Sequence, residues 1–447
     1  MPQAENDPRE AEAERVGPGP PIAPGGVRRL LRLATLDVGP LRRRRDFRLL
    51  FIGQGVSFFG SMITYVALPY QAYRLTGSSL VVGLLGLAEL APLLAAAFIG
   101  GALADAFDRR RMTQVTEVSF AAASVVLVGN ALLPHPELWV LFVMSGLLAT
   151  LDGLQRPSLD ALIPRLVERD ELIAAGALSS FRMTIGMIAG PAVGGVLLAT
   201  VGLPATYLVD TATFVVSLVA LQLMRAVPPP PEAEPPSVAR ILEGLRYARS
   251  RPELMGTYVV DIVAMFFGMP MALFPAEATH LGGAGVLGLL YAAPAVGSLL
   301  ATVTSGWAAH MHRHGAGVCV AAAVWGVGII GFGLAPNLAL ALTGLVVAGG
   351  ADMLSGIFRS TIWNQTIPDH LRGRLAGIEQ VSYSTGPLLG NVESGGVASL
   401  VGVRASIVSG GVLCVAGVVV AALALPAFWR YDSRHSSTGA GASTSAQ

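Results

Sequence analysis

Apolar residues run through this chain in blocks of about twenty, each closed by a short polar or Gly/Pro-rich stretch. About twenty apolar residues in helix is the length that crosses a bilayer core. The blocks lie at 47–69, 80–102, 112–133, 138–157, 172–201, 204–224, 254–276, 286–309, 317–334, 338–363, 375–401 and 403–428. Gly and Pro interrupt several of them, which membrane helices tolerate because neighbouring helices re-satisfy the freed backbone groups. The pattern predicts an all-α membrane protein with twelve transmembrane helices.

Charge gives the blocks a direction. The odd-numbered connections hold Arg74, and Arg404 is the other basic residue on that side; the even-numbered connections and both tails hold nearly all the rest. Arginine-rich connections face the cytoplasm. Both termini are therefore expected in the cytoplasm of a multi-pass cell-membrane protein, and an even number of spans requires the termini to share a side. Composition agrees, with 53% hydrophobic and 13% charged residues, against about 25% charged in a soluble domain. All 30 basic residues are Arg, and the net charge is +1. No nucleic-acid partner is expected.

The longest internal connection, 226–253, divides a six-span unit at 46–225 from another at 254–429; the tails 1–45 and 430–447 read as disordered. The connection begins with a stiff proline-rich stretch. It ends in VARILEGLRYARSR, an amphipathic pattern expected to lie as a helix on the cytoplasmic face. The units echo one another. GALAD at the end of span two is matched by GWAAH at the end of span eight. Gly190-Pro191-x-x-Gly194 is matched by Gly386-Pro387-x-x-Gly390. Arg156 before Ile163-Pro164 is matched by Arg359 before Ile367-Pro368. Two pseudo-symmetric six-helix bundles with a binding cavity between them are a recurring transporter plan.

Three sets of residues carry candidate chemistry. The first is Gly101, Asp105, Arg109 and Arg110 in the turn after span two. The arginines alone are accounted for by a topology anchor. An acid at a helix C-terminus is badly placed unless something compensates it. The second is Gly186, Gly190, Pro191, Gly194 and Gly195 in span five. Glycines four apart share a helix face and let another helix approach, and Pro191 predicts a bend. A tight packing face without further function fits the same pattern.

The third set is the charges within spans: Glu89 and Asp352 near mid-span, with Glu117, Asp152, Arg156, Arg182, Asp210, Asp261, Arg359, Glu379 and Glu393. Each costs about 2.5–3.5 kcal/mol at a helix centre, so they are expected to pair, face the bundle interior or be protonated. Asp152 and Arg156, four apart, are expected to pair within one helix. Glu89 and Asp352 are the candidates for a proton-coupling acid. For Glu89, a neutral acid bonded to another helix is the competing reading.

Weaker features follow. His310, His312 and His314 read as a solvated basic turn rather than a metal clip. Tyr65, Tyr70, Trp139, Trp307 and Trp429 read as interfacial residues. Phe58, Phe59, Met265, Phe266 and Phe267 are candidates to line a cavity, or simply pack. Cys319 and Cys414 read as isolated packing thiols. No nucleotide, hydrolase, zinc or dinucleotide signature appears, so no enzyme, cofactor or metal is expected.

Gly101-x-x-x-Asp105 followed by Arg109-Arg110 resembles the loop signature of the major facilitator superfamily, with Ala106 and Asp108 departing from it. The resemblance implies a latch between bundles, the acid lying near the start of helix eleven at Arg374 and Leu375. The span-five glycine–proline pattern is similar to that of the superfamily's proton-coupled exporters. Asp152-Gly153, Ile163-Pro164 and Leu371-Arg372-Gly373-Arg374 look like the group of enterobactin exporters and macrolide efflux proteins. The implied function is export of a small organic molecule, siderophore or macrolide/multidrug in type, by proton antiport with alternating access. The implied partners are substrate, protons and the lipid bilayer, and the implied unit is a monomer. An importer of the same fold, or a non-transporting sensor or lipid-handling protein, is the alternative.

Overall fold

The computed structural model describes residues 37–434, apart from 107, 226–245 and 369–370. Regular structure among these residues is entirely helical. The first six long helices are α1 (Arg45–Thr76), α2 (Ser79–Ala106), α3 (Arg109–Leu132), α4 (Leu138–Leu166), α5 (Leu172–Thr200) and α6 (Gly202–Leu223). The second set is α7 (Pro252–Phe267), α8 (Phe274–Leu281), α9 (Ala284–Thr304), α10 (His314–Leu334), α11 (Leu338–Thr366), α12 (Arg372–Val401) and α13 (Val403–Ala424).

The expected span 254–276 is present as one apolar stretch, Pro252–Leu281, with a break inside it between α7 and α8 that the hydropathy pattern did not show. Pro270 has no N–H to donate, and Gly268 closes α7 with its own N–H on the Ala264 carbonyl at 2.8 Å. The backbone freed by the break is satisfied from outside. Trp325 Nε1 donates to the Gly268 carbonyl at 3.1 Å, and Asn391 Oδ1 accepts from Ala272 N–H at 3.1 Å. Non-helical backbone at membrane depth survives only when it is buried and bonded in this way.

Eleven helical segments among the described residues are long and apolar enough to cross a membrane, the continuous stretch through α7 and α8 counting as one. The twelfth rod is α12, long enough at 30 residues but more polar, with Glu379, Asn391 and Glu393 along it. Its position explains why polarity is tolerated: it packs against α2 and α7 inside the protein.

The helices form two six-membered bundles. In the first, α1 packs on α5 and α6, α4 on α2 and α3, and α3 on α6. In the second, α7 packs on α12 and α13, α11 on α9 and α10, and α10 on α13. The arrangements correspond, and so do their details. A Cβ on Gly190 would meet Met62 of α1, while one on Gly386 or Gly390 would meet Met265 of α7. The sequence echo between the two glycine–proline sites is therefore also an echo in packing.

The ends of the molecule differ. Every glycine with positive φ among the described residues (Gly77, Gly202, Gly282, Gly283 and Gly402) sits in a tight turn at one end, which we term the glycine end. The other, the arginine end, carries Arg109, Arg110, Arg165, Arg251 and Arg313. There Arg44, just ahead of α1, bonds Glu171 at 2.8 Å and also pairs with Glu168. At the opposite side of the central connection, residues 246–250 are helical, and Tyr247 donates to the Thr366 carbonyl at 2.7 Å. The proline-rich stretch and the rest of the expected amphipathic helix fall outside the described residues. His314 is buried rather than solvated: its ring stacks on Phe358 and its Nε2 is 2.8 Å from the Met311 carbonyl.

Candidate functional site

The two bundles meet near the glycine end, where glycines bring their backbones into contact. A Cβ on Gly195 of α5 would lie 2.7 Å from the Gly288 nitrogen of α9, and one on Gly288 would overlap the Pro191 carbonyl oxygen. On the other flank, Gly83 of α2 lies against the Asn391 carbonyl of α12, and a Cβ on Gly395 would lie 2.5 Å from the Ser79 carbonyl. Gly83 and Gly288 are each the fifth residue of their helix. The seal is therefore built twice, once from each half of the duplicated pattern. Only glycine allows helices this close.

Below the seal lies a cavity of about 610 Å³, reaching from Tyr65 and Tyr291 to Asp160 and Ile163 near the arginine end. Its roof is aromatic. Tyr65 and Tyr291 meet edge to face with ring centres 5.4 Å apart, Phe274 packs on Tyr291 from behind at 5.0 Å without lining the cavity, and the Tyr65 hydroxyl reaches the Met271 sulfur at 3.0 Å. Tyr65 is thus a cavity residue, not an interfacial one. Of the five residues expected either to line a cavity or to pack, Phe58 lines it, while Phe59, Met265, Phe266 and Phe267 do not.

Glu89, Asp152, Arg156, Arg182 and Asp210 all come to this cavity. The Glu89 carboxyl accepts from the Ser145 hydroxyl of α4, so among the described residues it has one neutral partner and no cation. Arg156 Nε and Asp152 Oδ2 pair at 3.3 Å, as their spacing required. Asp160 was not anticipated. α4 continues to Leu166 where the hydrophobic pattern stopped at 157, and this places Asp160 one turn beyond Arg156 on the same face. Continued four-residue spacing was the available signal.

The remaining charges lie away from the cavity. Arg359 pairs closely with Asp261, stands 3.5 Å from Asp352, and covers the Tyr383 ring at 5.0 Å. Ser382 donates to the other Asp261 oxygen at 3.3 Å. Asp352 therefore has a cation beside it, unlike Glu89. Glu379 and Glu393 are partly buried on α12 and do not line the cavity. Glu117 is fully buried in the first bundle.

In the expected latch, the backbone of Gly101 and Asp105 is helical, but their side chains, and that of Arg374, lie outside the described residues. Arg109 donates to the Ala161 carbonyl at 3.2 Å, and Arg110 to those of Leu221 and Gln222 at 2.7 and 2.9 Å. Both guanidinium groups thus reach carbonyls in the C-terminal parts of α4 and α6, where the helix dipole favours a cation. Asp108, a departure from the superfamily signature, caps α3 by accepting from the N–H groups of Arg110 and Arg111 at 2.9 and 3.2 Å. The span-five glycines split their work: Gly186, Gly190 and Gly194 face Phe58, Met62 and Ile63 of α1, whereas Gly195 faces the other bundle.

A family model described as transmembrane secretion effector matches residues 35–441. The enterobactin exporter of Citrobacter koseri is 29% identical over 388 residues, covering 86% of this chain and 93% of the relative. That of Shigella boydii serotype 4 is 28% identical over 387 residues, with the same coverage. Among solved structures, the nucleoside transporter NupG matches with a TM-score of 0.69 at 13% identity, covering 87% of this chain and 100% of that one. A bacterial homologue of the human lysosomal transporter Spinster, inward-facing and unoccupied, matches with a TM-score of 0.66 at 16% identity, covering 87% and 96%. At these identities the structures establish the fold alone.

Proposed function

The chain belongs to the transmembrane secretion effector family of the major facilitator superfamily, and from that premise we propose that it exports a small organic molecule in exchange for protons. The arginine end is the cytoplasmic end, with both termini there. The cavity then faces the cytoplasm, closed from outside by the glycine seal, as an exporter must be when it loads. Alternating access consists of parting the Gly195–Gly288 and Gly83–Asn391 contacts while the arginine end closes. Asp105, Arg109 and Arg110 latch that end, and the chain works as a monomer.

The observation that carries this reading is Glu89. Its carboxyl lines the substrate-sized cavity with only the Ser145 hydroxyl as partner. A carboxyl so placed changes the charge of the cavity when it gains or loses a proton, and a buried charge without a counter-charge is costly. Protonation therefore favours one state of the cycle over the other. The relatives named as enterobactin exporters support a siderophore-type substrate, and the aromatic roof of Tyr65 and Tyr291 suits a substrate with flat apolar surface.

The test uses proteoliposomes with an imposed pH gradient, loaded in turn with enterobactin and a macrolide. Wild-type protein moves a member of the pair against the substrate gradient, and Glu89→Gln does not, at equal expression. Proton-driven transport that persists in Glu89→Gln removes Glu89 from the coupling. Transport in the direction of uptake only makes the chain an importer.

A further inference from the structure

Within the first bundle, α1, α3 and α6 share a polar seam. Ser57, Glu117 and Ser217 form one rung, and Thr64, Ser124 and Asp210 form the next. On α1 and α3 the second rung lies seven residues after the first; on α6, which runs the other way, it lies seven before. Seven residues are two helical turns, about 10.5 Å. The Tyr207 hydroxyl, donating to Gln71 Oε1 at 2.8 Å, continues the seam toward the glycine end.

The lower rung contains a fully buried carboxyl, Glu117, whose partners are all neutral. Gln54 Nε2 and Gln155 Nε2 both donate to Oε1, at 2.8 and 2.9 Å. The Ser57 hydroxyl lies 3.1 Å from Oε1 and 3.0 Å from Oε2. With every partner neutral, the arrangement accommodates a protonated acid, Oε1 as the carbonyl oxygen receiving the two N–H groups and Oε2–H donating to Ser57. An ionised carboxylate here would be buried without a counter-charge, at a cost of several kcal/mol.

The charged groups on the surrounding helices do not supply that counter-charge. α6 presents Asp210 on the next rung, itself bonded to Thr64 and Ser124. α4 presents Asp152 and Arg156, paired with each other at 3.3 Å. Arg109 and Arg110, on the first turn of α3, are engaged with the carbonyls of α4 and α6. α1 presents Gln54 and Ser57. Gln54, Ser57 and Gln155 also line the cavity, so a single hydroxyl separates Glu117 from it.

We propose that Glu117 is an exchangeable proton-binding site, loaded from the cavity through Ser57. A proton arriving from the cavity bonds to Ser57 Oγ as the hydroxyl's own proton passes to Glu117 Oε2; release reverses both transfers. The site's place in a transport cycle rests on the exporter reading, but its existence does not, and the test needs no substrate.

Infrared difference spectra of the full-length protein in lipid, recorded between mildly acidic and mildly alkaline pH, read the site directly. A protonated-carboxyl C=O band is expected that fades as pH rises, shifts in D2O, disappears in Glu117→Gln and survives in Glu89→Gln. Should Glu117→Gln not fold, Glu117→Asp keeps the carboxyl and is expected to move the band. A difference band unchanged by either Glu117 substitution overturns the assignment. A Glu117 band that neither fades with pH nor shifts in D2O marks a fixed structural proton and overturns the exchange. A wild-type protein with the titrating band but no pH-driven efflux keeps the site and loses the exporter reading.

Discussion

Gly195 of α5 and Gly288 of α9 face each other across the two bundles with no space for a side chain: a Cβ on Gly195 would come within 2.7 Å of the Gly288 nitrogen. Overpacking such a contact costs about 1–3 kcal/mol, enough to shift a two-state equilibrium by about 5- to 150-fold. Gly288→Val is expected to part the glycine end. Ala199→Cys, placed where α5 approaches Gly285, should then label faster with a membrane-impermeant maleimide than in the Ala199→Cys parent. Equal labelling would remove the seal from the mechanism.

Arg359 is shared unequally between Asp261 and Asp352, and the two sides of the cluster should respond differently to mutation. Arg359→Leu leaves Asp261 buried without a cation, a loss of about 3–5 kcal/mol. Asp261→Asn keeps the Ser382 contact and leaves Arg359 beside Asp352, so its cost should be smaller. The thiols of Cys319 and Cys414 are buried, so a thiol-reactive dye reports thermal unfolding. Arg359→Leu should lower the midpoint more than Asp261→Asn; the reverse order contradicts the sharing.

Asp108 and Asp105 stand three residues apart and should separate by assay. Asp108→Ala removes the cap of α3 and is expected to cost about 1 kcal/mol, visible in the same dye-monitored unfolding. Its effect on the balance of conformations should be small.

Asp105→Asn, by contrast, should leave stability nearly unchanged and shift the conformational balance. Cysteine accessibility at the arginine end is the measurement. A pattern identical to that of the parent returns this turn to the role of a topology anchor.

How much of this was readable beforehand depended on distance along the chain. The spans followed from hydropathy, and Asp152–Arg156 from four-residue spacing. The two glycine–proline sites followed from identity, and the structure added that they pack on α1 and α7. What was missed depends on residues far apart in sequence. Glu117 could be noticed as an intramembrane acid, but its hydrogen-bond partners lie 63, 60 and 38 residues away on other helices. Asp352 is the exception: Arg359, two turns further along α11, was visible in the sequence, and the structure adds that it stands 3.5 Å away. The break between α7 and α8 did carry a local signal, Gly268 and Pro270 two residues apart, obscured by the apolar run around them. Asp160 was lost to a boundary drawn nine residues before the true end of α4 at Leu166.

The cavity draws on the two halves unequally. From the second bundle it takes Met271, Ala272, Tyr291, Leu388 and Asn391, all close to the seal; every charged residue in its wall comes from the first. The chemistry of the cavity wall is thus concentrated in one of two bundles built on the same plan. A chimaera joining the first bundle of this chain to the second bundle of a relative should inherit this chain's substrate preference, and the opposite splice should lose it.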